Sequence, residues 1–319
     1  MTTNGPGTTG ERPALQRVVV HVALRSRGQL LVRSGPGGGG DVPGGVLPWA
    51  VLAHGETPAA GAHRALAAVG APPARTGPPL EIRDAVRRAL GEEVPGHAGG
   101  VDLHTVHVVL SAQVADHALR ERAGAARWVP DPGDHPLVAD ALARVEPAEL
   151  ERLQVPDDDR TPVLRQRLAA YAVVVSPAGE ILLTRLSPIT PSPGRWTLPG
   201  GGVDHGEHPL AAAVREVHEE TGMEVDVDGL ADIGSEHFTG RSPRGVLEDF
   251  HAVRVLVTAT ARRVRDPQVL DVGGSTDLGS WVPLADATQW GLVGVAHRGV
   301  QIALRQRDGE PAKRQVGRS

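Results

Sequence analysis

The chain has 319 residues, 33 Lys and Arg against 38 Asp and Glu, and a formal net charge of −5. That length suits two ordinary domains, and that charge excludes a general electrostatic attraction to nucleic acid. No cysteine is present, which excludes disulfides, thiolate zinc sites and a thiol nucleophile.

Residues 1–14 are polar and rich in Gly and Thr, without the apolar stretch of a signal peptide, and are expected to be disordered. No apolar run approaches the length of a membrane span, so a cytoplasmic protein is the default and no membrane partner is expected. Val18 to Val32 pairs two β-rich runs across a turn at Gly28. Gly35 to Gly45 reads as a flexible loop, because it lacks the Gly-Lys-Ser/Thr of a phosphate-binding P-loop. Residues 151–162 read as an exposed linker, with Pro156 and Pro162 bracketing three aspartates. Ala169 to Leu183 repeats the hairpin pattern, now around Gly179. The tail, 306–319, is polar and is expected to be disordered.

The most informative segment is Gly201 to Met223. Glu216, Glu219 and Glu220 stand at i, i+3 and i+4, so on a helix they share one face. Pro209 suits the first turn of that helix, Leu210, Val214 and Val217 form its apolar stripe, and Gly222 fits a left-handed C-cap. Three carboxylates this close repel one another unless a cation intervenes, and hard oxygen ligands suit Mg²⁺ or Mn²⁺. Spacing alone also fits a solvated acidic face; the preceding Pro199-Gly200-Gly201-Gly202 loop, which lets backbone carbonyls approach a ligand, favours the site.

The first half repeats the second at a constant offset. His54-Gly55-Glu56 corresponds to His205-Gly206-Glu207, Pro58 to Pro209 and Arg64 to Arg215. Where the second half has Glu216, Glu219 and Glu220, the first has Ala65, Ala68 and Val69. A repeat this long means two domains rather than a solenoid: 15–150 and 163–305, with no cation site expected in the first.

Gly201, Glu207, Arg215-Glu216, Val217, Glu219-Glu220, Gly222 and Met223 together resemble the signature of the Nudix hydrolase superfamily. Trp196-Thr197-Leu198-Pro199 before it and Trp281-Val282-Pro283-Leu284 after it extend the resemblance over about 165 to 305. The resemblance implies an α/β/α sandwich with a mixed sheet in each half, the first a degenerate copy. It implies metal-dependent cleavage of a phosphoanhydride in a nucleoside diphosphate derivative: ADP-ribose, a nucleotide sugar or a nucleoside triphosphate. Glu216, Glu219 and Glu220 would hold Mg²⁺ or Mn²⁺ with the Gly200 carbonyl. Gly201, Glu207, Arg215 and Gly222 would be structural.

A further acid or base is expected from outside this segment. Glu236, His237, Glu248 and Asp249 are the candidates; Glu248, before the strand-like run Phe250 to Val257, is expected to act in catalysis. Arg185 is expected to reach substrate phosphates. The alternative is a non-hydrolytic nucleotide sensor. The tandem arrangement implies a monomer with an internal pseudo-dimer.

Overall fold

The computed structural model describes residues 14–33, 46–89, 101–114, 126–131, 161–242 and 245–308. The expectations for residues 1–13, for Gly35 to Gly45, for most of the linker and for 309–319 lie outside them.

The first half contains strands β1 (Ala14–Ser26), β2 (Gln29–Arg33) and β3 (Trp49–Val51), helix α1 (Pro58–Ala68), and strands β4 (Ala74–Ala89), β5 (Val101–Val114) and β6 (Ala126–Pro130). The second contains β7 (Val163–Val174), β8 (Glu180–Leu186), β9 (Trp196–Thr197), β10 (Gly200–Gly202), helix α2 (Pro209–Thr221), β11 (Val225–Arg241), β12 (Leu247–Ala261), β13 (Thr276–Pro283) and helix α3 (Gly294–Arg307). Helix α3 runs through Arg307, so the tail expected to begin at residue 306 starts inside a helix.

Both halves follow one connectivity. In the first, β4-β5-β1-β2-β6 is a mixed sheet, with β3 added to β1. Its β1 and β5 are parallel while β4 and β5 are antiparallel. In the second, β10-β7-β12-β11 forms one sheet and β13-β8-β9 another. There β7 and β12 are parallel, and β11 and β12 antiparallel. Each half turns its first hairpin on a glycine with positive φ: 73° at Gly28 and 79° at Gly179.

Alternation along the strands of the second half serves two layers. Leu168, Ala170 and Ala172 of β7 pack towards Ala212, Ala213 and Val217 of α2, while Val173 and Leu256 pack towards Ala296, Val300 and Ala303 of α3. The α2 cluster continues into the first half through Val18, Val20 and Val108, so one core spans the junction. The halves also exchange polar contacts. Gln16 Nε2 donates to the Val203 carbonyl at 3.4 Å, and Ser235 Oγ to the Glu56 carbonyl at 3.5 Å.

A histidine pair lies inside the first sheet. His21 and His107 are both buried, with His21 Nε2 3.0 Å from His107 Nδ1. Burial, and then the neighbouring His107, push His21 down to about 3; burial, and then Arg17, push His107 down to about 4. Both folded-state values lie below the unfolded imidazole value of about 6.5. Their contribution to stability is therefore complete above that pH. It is lost as pH falls from there through about 4. We expect urea unfolding at pH 5 to give about 2–4 kcal/mol less stability than at pH 7.5. The difference should shrink in His21→Phe/His107→Gln, and an unchanged slope would rule out the pair as its source.

Candidate metal and phosphate site

Helix α2 carries the acidic cluster, and its ends are fixed locally. His208 Nδ1 accepts from the Leu210 N–H at 3.1 Å at the start. Gly222, at φ 66°, closes the helix in the left-handed region. Val217 is fully buried, which turns Glu216, Glu219 and Glu220 towards the edge strand β10.

The three carboxylates sit in different surroundings. Glu220 is 5% exposed. Its Oε1 accepts from Thr276 Oγ1 at 2.6 Å, and its Oε2 from the Gly200 N–H at 3.1 Å and Thr184 Oγ1 at 3.3 Å. All these donors are neutral. Burial raises the carboxyl to about 7 against the pull of those bonds. Burial also raises Glu216, opposed by Arg215. The Glu219 side chain is 42% exposed and faces outward.

One guanidinium serves the cluster. Arg215 Nε and Nη2 grip Glu207 at 2.8 and 2.9 Å, and Nη2 also reaches the Gly202 carbonyl at 2.9 Å. Its Nη1 donates to Glu216 at 2.9 Å and Glu219 at 3.1 Å. The same grip lowers the Glu207 carboxyl from its ordinary value. Three carboxylates thus share one cation, and the fourth, Glu220, receives none of its hydrogen bonds. That surplus of negative oxygen suits a hard divalent ion.

The glycines are set by close approach. A Cβ on Gly201 would lie 2.6 Å from Glu216 Oε1, and one on Gly200, at φ 151°, 2.4 Å from the Ala170 carbonyl. Gly200 spends its N–H on Glu220, which leaves its carbonyl as the group to meet a cation.

Residues opposite one another across strands share a sheet face. Arg167, Ala252 and Glu236 form one such row, and Gly202, Ala169 and Arg254 the next. Arg254 pairs with Glu236 at 2.5 Å. Arg254, Glu220, Glu216 and Arg167 all act electrostatically on the buried Tyr171 phenol, whose pKa burial raises. This face therefore brings two arginines near the acidic edge. Sequence reasoning missed Arg167, Tyr171 and Arg254, for which the alternating Arg165 and Arg167 of β7 were the available signal. It also missed Thr184 and Thr276, which carry no local signal.

Two expected residues are not brought to the cluster. Glu248 pairs across from Val163 and stands 3.5 Å from Arg165. Gly201 pairs with Ala170, seven positions further along β7, roughly 23 Å at the usual strand rise. The parallel pairing puts the entrance of β12 at the far end of the sheet, so Glu248 does not point at the carboxylates. Arg185 lies within β8 and bonds Asp277 Oδ1 at 2.8 Å. It faces away from its neighbour Thr184, which touches Glu220. His237 and Asp249 lie on the opposite face of their sheet from Glu236 and Arg254. A cavity of about 750 Å³ between β4, β11 and α3 is lined by none of the acidic residues of α2.

An acidic helix thus grips a glycine strand at the edge of a sheet. The family model of the NUDIX domain matches residues 165–300 of this chain. The RNA pyrophosphohydrolase of Agrobacterium fabrum is 61% identical over 34 residues, 11% of this chain and 20% of that protein. The RNA pyrophosphohydrolase of Mesorhizobium japonicum is 36% identical over 105 residues, 28% of this chain and 58% of that protein. The chain thus spans less than two thirds of these relatives. The crystal structure of a MutT NUDIX hydrolase from Burkholderia pseudomallei is 26% identical with a TM-score of 0.33, covering 43% of this chain and 97% of that one.

Proposed function

We propose that the second half is a Mg²⁺- or Mn²⁺-dependent pyrophosphohydrolase acting on a nucleoside diphosphate derivative. The observation that carries this reading is the cluster of Glu216, Glu219 and Glu220, whose only ion-pairing base among the described residues is an arginine shared with Glu207. These three side chains and the Gly200 carbonyl would hold the ion. When bound, it offsets charge on the phosphate oxygens and lowers the pKa of a water.

The protein's own groups do the positioning. Glu207 and Arg215 lock the glycine strand to α2, which keeps Glu216 against Gly201. Thr276, Thr184 and the Gly200 N–H fix both oxygens of Glu220 before substrate arrives, so the site is preorganised. Arg167 and Arg254 offer guanidinium forks to phosphate oxygens on the open face. Replacing either with alanine is expected to raise KM about tenfold or more while lowering kcat less, in steady-state assays. An unchanged KM in both variants would remove them from the substrate site.

The first half, with Ala65, Ala68 and Val69 in place of the acidic residues, is proposed as a degenerate copy covering the active half within one chain.

The test is a substrate panel with Mg²⁺ and Mn²⁺: ADP-ribose, nucleotide sugars, nucleoside triphosphates, dinucleoside polyphosphates and, because of the names of the relatives, a 5′-triphosphorylated RNA. Turnover of one class is expected. The net negative charge disfavours the RNA. Binding without turnover across the panel would favour the sensor instead.

A further inference from the structure

On the sheet face opposite Arg167 and Arg254, where the two halves meet, three side chains converge. His54 comes from the turn between β3 and α1, His237 from β11 and Asp249 from β12. Their ligand atoms all lie within 4.8 Å of one another. Asp249 Oδ1 is 2.5 Å from His237 Nε2 and 3.4 Å from His54 Nε2.

His54 is the unexplained member. Its side chain is only 9% exposed, and Nε2 is buried without a hydrogen bond. A buried polar nitrogen left unsatisfied is costly, and native structures rarely keep one without a role. Here it is aimed at a carboxylate already held by a second imidazole. The three rings of His54, His237 and His251 pack edge to face, with centroids 5.2 Å apart for His54 and His237 and 5.5 Å for His54 and His251. His251 is fully buried and fixed through Nδ1 to Gln166 Oε1 at 3.1 Å. His251 thus packs against the other two rings without being one of the three converging groups.

We propose that His54, His237 and Asp249 form a binding site for a zinc-class ion that ties the two halves together. Two imidazole nitrogens and one carboxylate oxygen are a donor set for borderline metals, unlike the all-oxygen set at α2. Bonds of about 2.0–2.1 Å put tetrahedral ligand atoms roughly 3.3 Å apart; the 3.4 Å between His54 and Asp249 already matches, and the short His237–Asp249 hydrogen bond opens by ~0.8 Å to admit the ion. Three protein ligands leave a fourth position for water. Because His54 belongs to the first half and the other two to the second, the ion bridges the junction, and its binding adds to the stability of the joined form.

The test uses the full chain, stripped with a chelator and dialysed against Zn²⁺ in a large excess of Mg²⁺, with bound metal measured by mass spectrometry. Wild type is compared with His237→Gln, Asp249→Asn and Glu219→Gln/Glu220→Gln. About one equivalent of Zn²⁺ is expected in wild type and in the double glutamate variant. His237→Gln and Asp249→Asn should bind at least tenfold more weakly. Zn²⁺ should raise the Tm of the first two proteins and not of the other two. The His237 side chain is 43% exposed, so its replacement should leave the metal-free fold intact, and far-UV circular dichroism checks this. Three results overturn the proposal: no Zn²⁺ retained by wild type, equal retention by folded His237→Gln or Asp249→Asn, or loss of Zn²⁺ in the double glutamate variant. The site does not depend on the hydrolase reading. Failure of turnover with Zn²⁺ retained would leave it standing.

Discussion

Glu219→Gln/Glu220→Gln is expected to lower kcat by about 10³ or more on whichever substrate the panel identifies, while the protein stays folded. Glutamine keeps the shape of glutamate, and the hydroxyl of Thr276, which meets the other oxygen, can rotate to accept from an amide. The amide oxygen can still take the Gly200 N–H. What disappears is charge. At Glu220 that charge is buried among neutral donors, which is why its acid form is favoured up to about 7. Removing it should not destabilise the metal-free protein. The expected signature is therefore dual: turnover falls steeply, while the Tm without metal is unchanged or higher. Stabilisation by Mg²⁺ should vanish with the activity. A variant within tenfold of wild-type kcat would sink the assignment of these two carboxylates. A variant that is inactive because it is unfolded would show itself in the metal-free Tm.

The α2 segment was legible because its determinants are local. Pro209, the Leu210 and Val217 stripe and Gly222 specify the helix from within about one dozen residues, and the structure gives a helix over Pro209–Thr221. Glu56 and Arg64 form the grip that Glu207 and Arg215 form, with Nε donating at 2.9 Å in one and 2.8 Å in the other. What escaped were contacts set by strand pairing. Thr276 meets Glu220 across 55 intervening residues, and no short window records that. Glu248 was misplaced for a related reason: a strand's entrance can lie at either end of a sheet, and only the parallel pairing with Val163 decides which. His54 has a counterpart, His205, at the matching place in the other half, so the sequence does not single it out. Its meeting with His237 and Asp249 depends on how the halves pack, which the repeat does not encode.

Arg215→Met is expected to cost about 3 kcal/mol in metal-free urea unfolding, and Arg64→Met about 1–2 kcal/mol. The two arginines occupy matching places, with side chains 31% and 40% exposed, so the figures sit at or below the low end of the range for a fully buried pair. Their partners differ. Arg64 grips Glu56 and the Val51 carbonyl, and its loss leaves one carboxylate without its guanidinium. Arg215 holds Glu207, Glu216 and Glu219 at once, and its loss leaves three carboxylates facing one another beside Glu220. Methionine keeps most of the aliphatic stem, so the difference between the variants reports charge rather than packing. Added Mg²⁺ should restore part of the stability of Arg215→Met, because an ion at Glu216, Glu219 and Glu220 neutralises the same groups. It should do little for Arg64→Met, where Ala65, Ala68 and Val69 stand in place of those glutamates. Equal costs for the two variants, or equal recovery with Mg²⁺, would mean that Arg215 only clamps the glycine strand and that the carboxylates do not form one electrostatic unit.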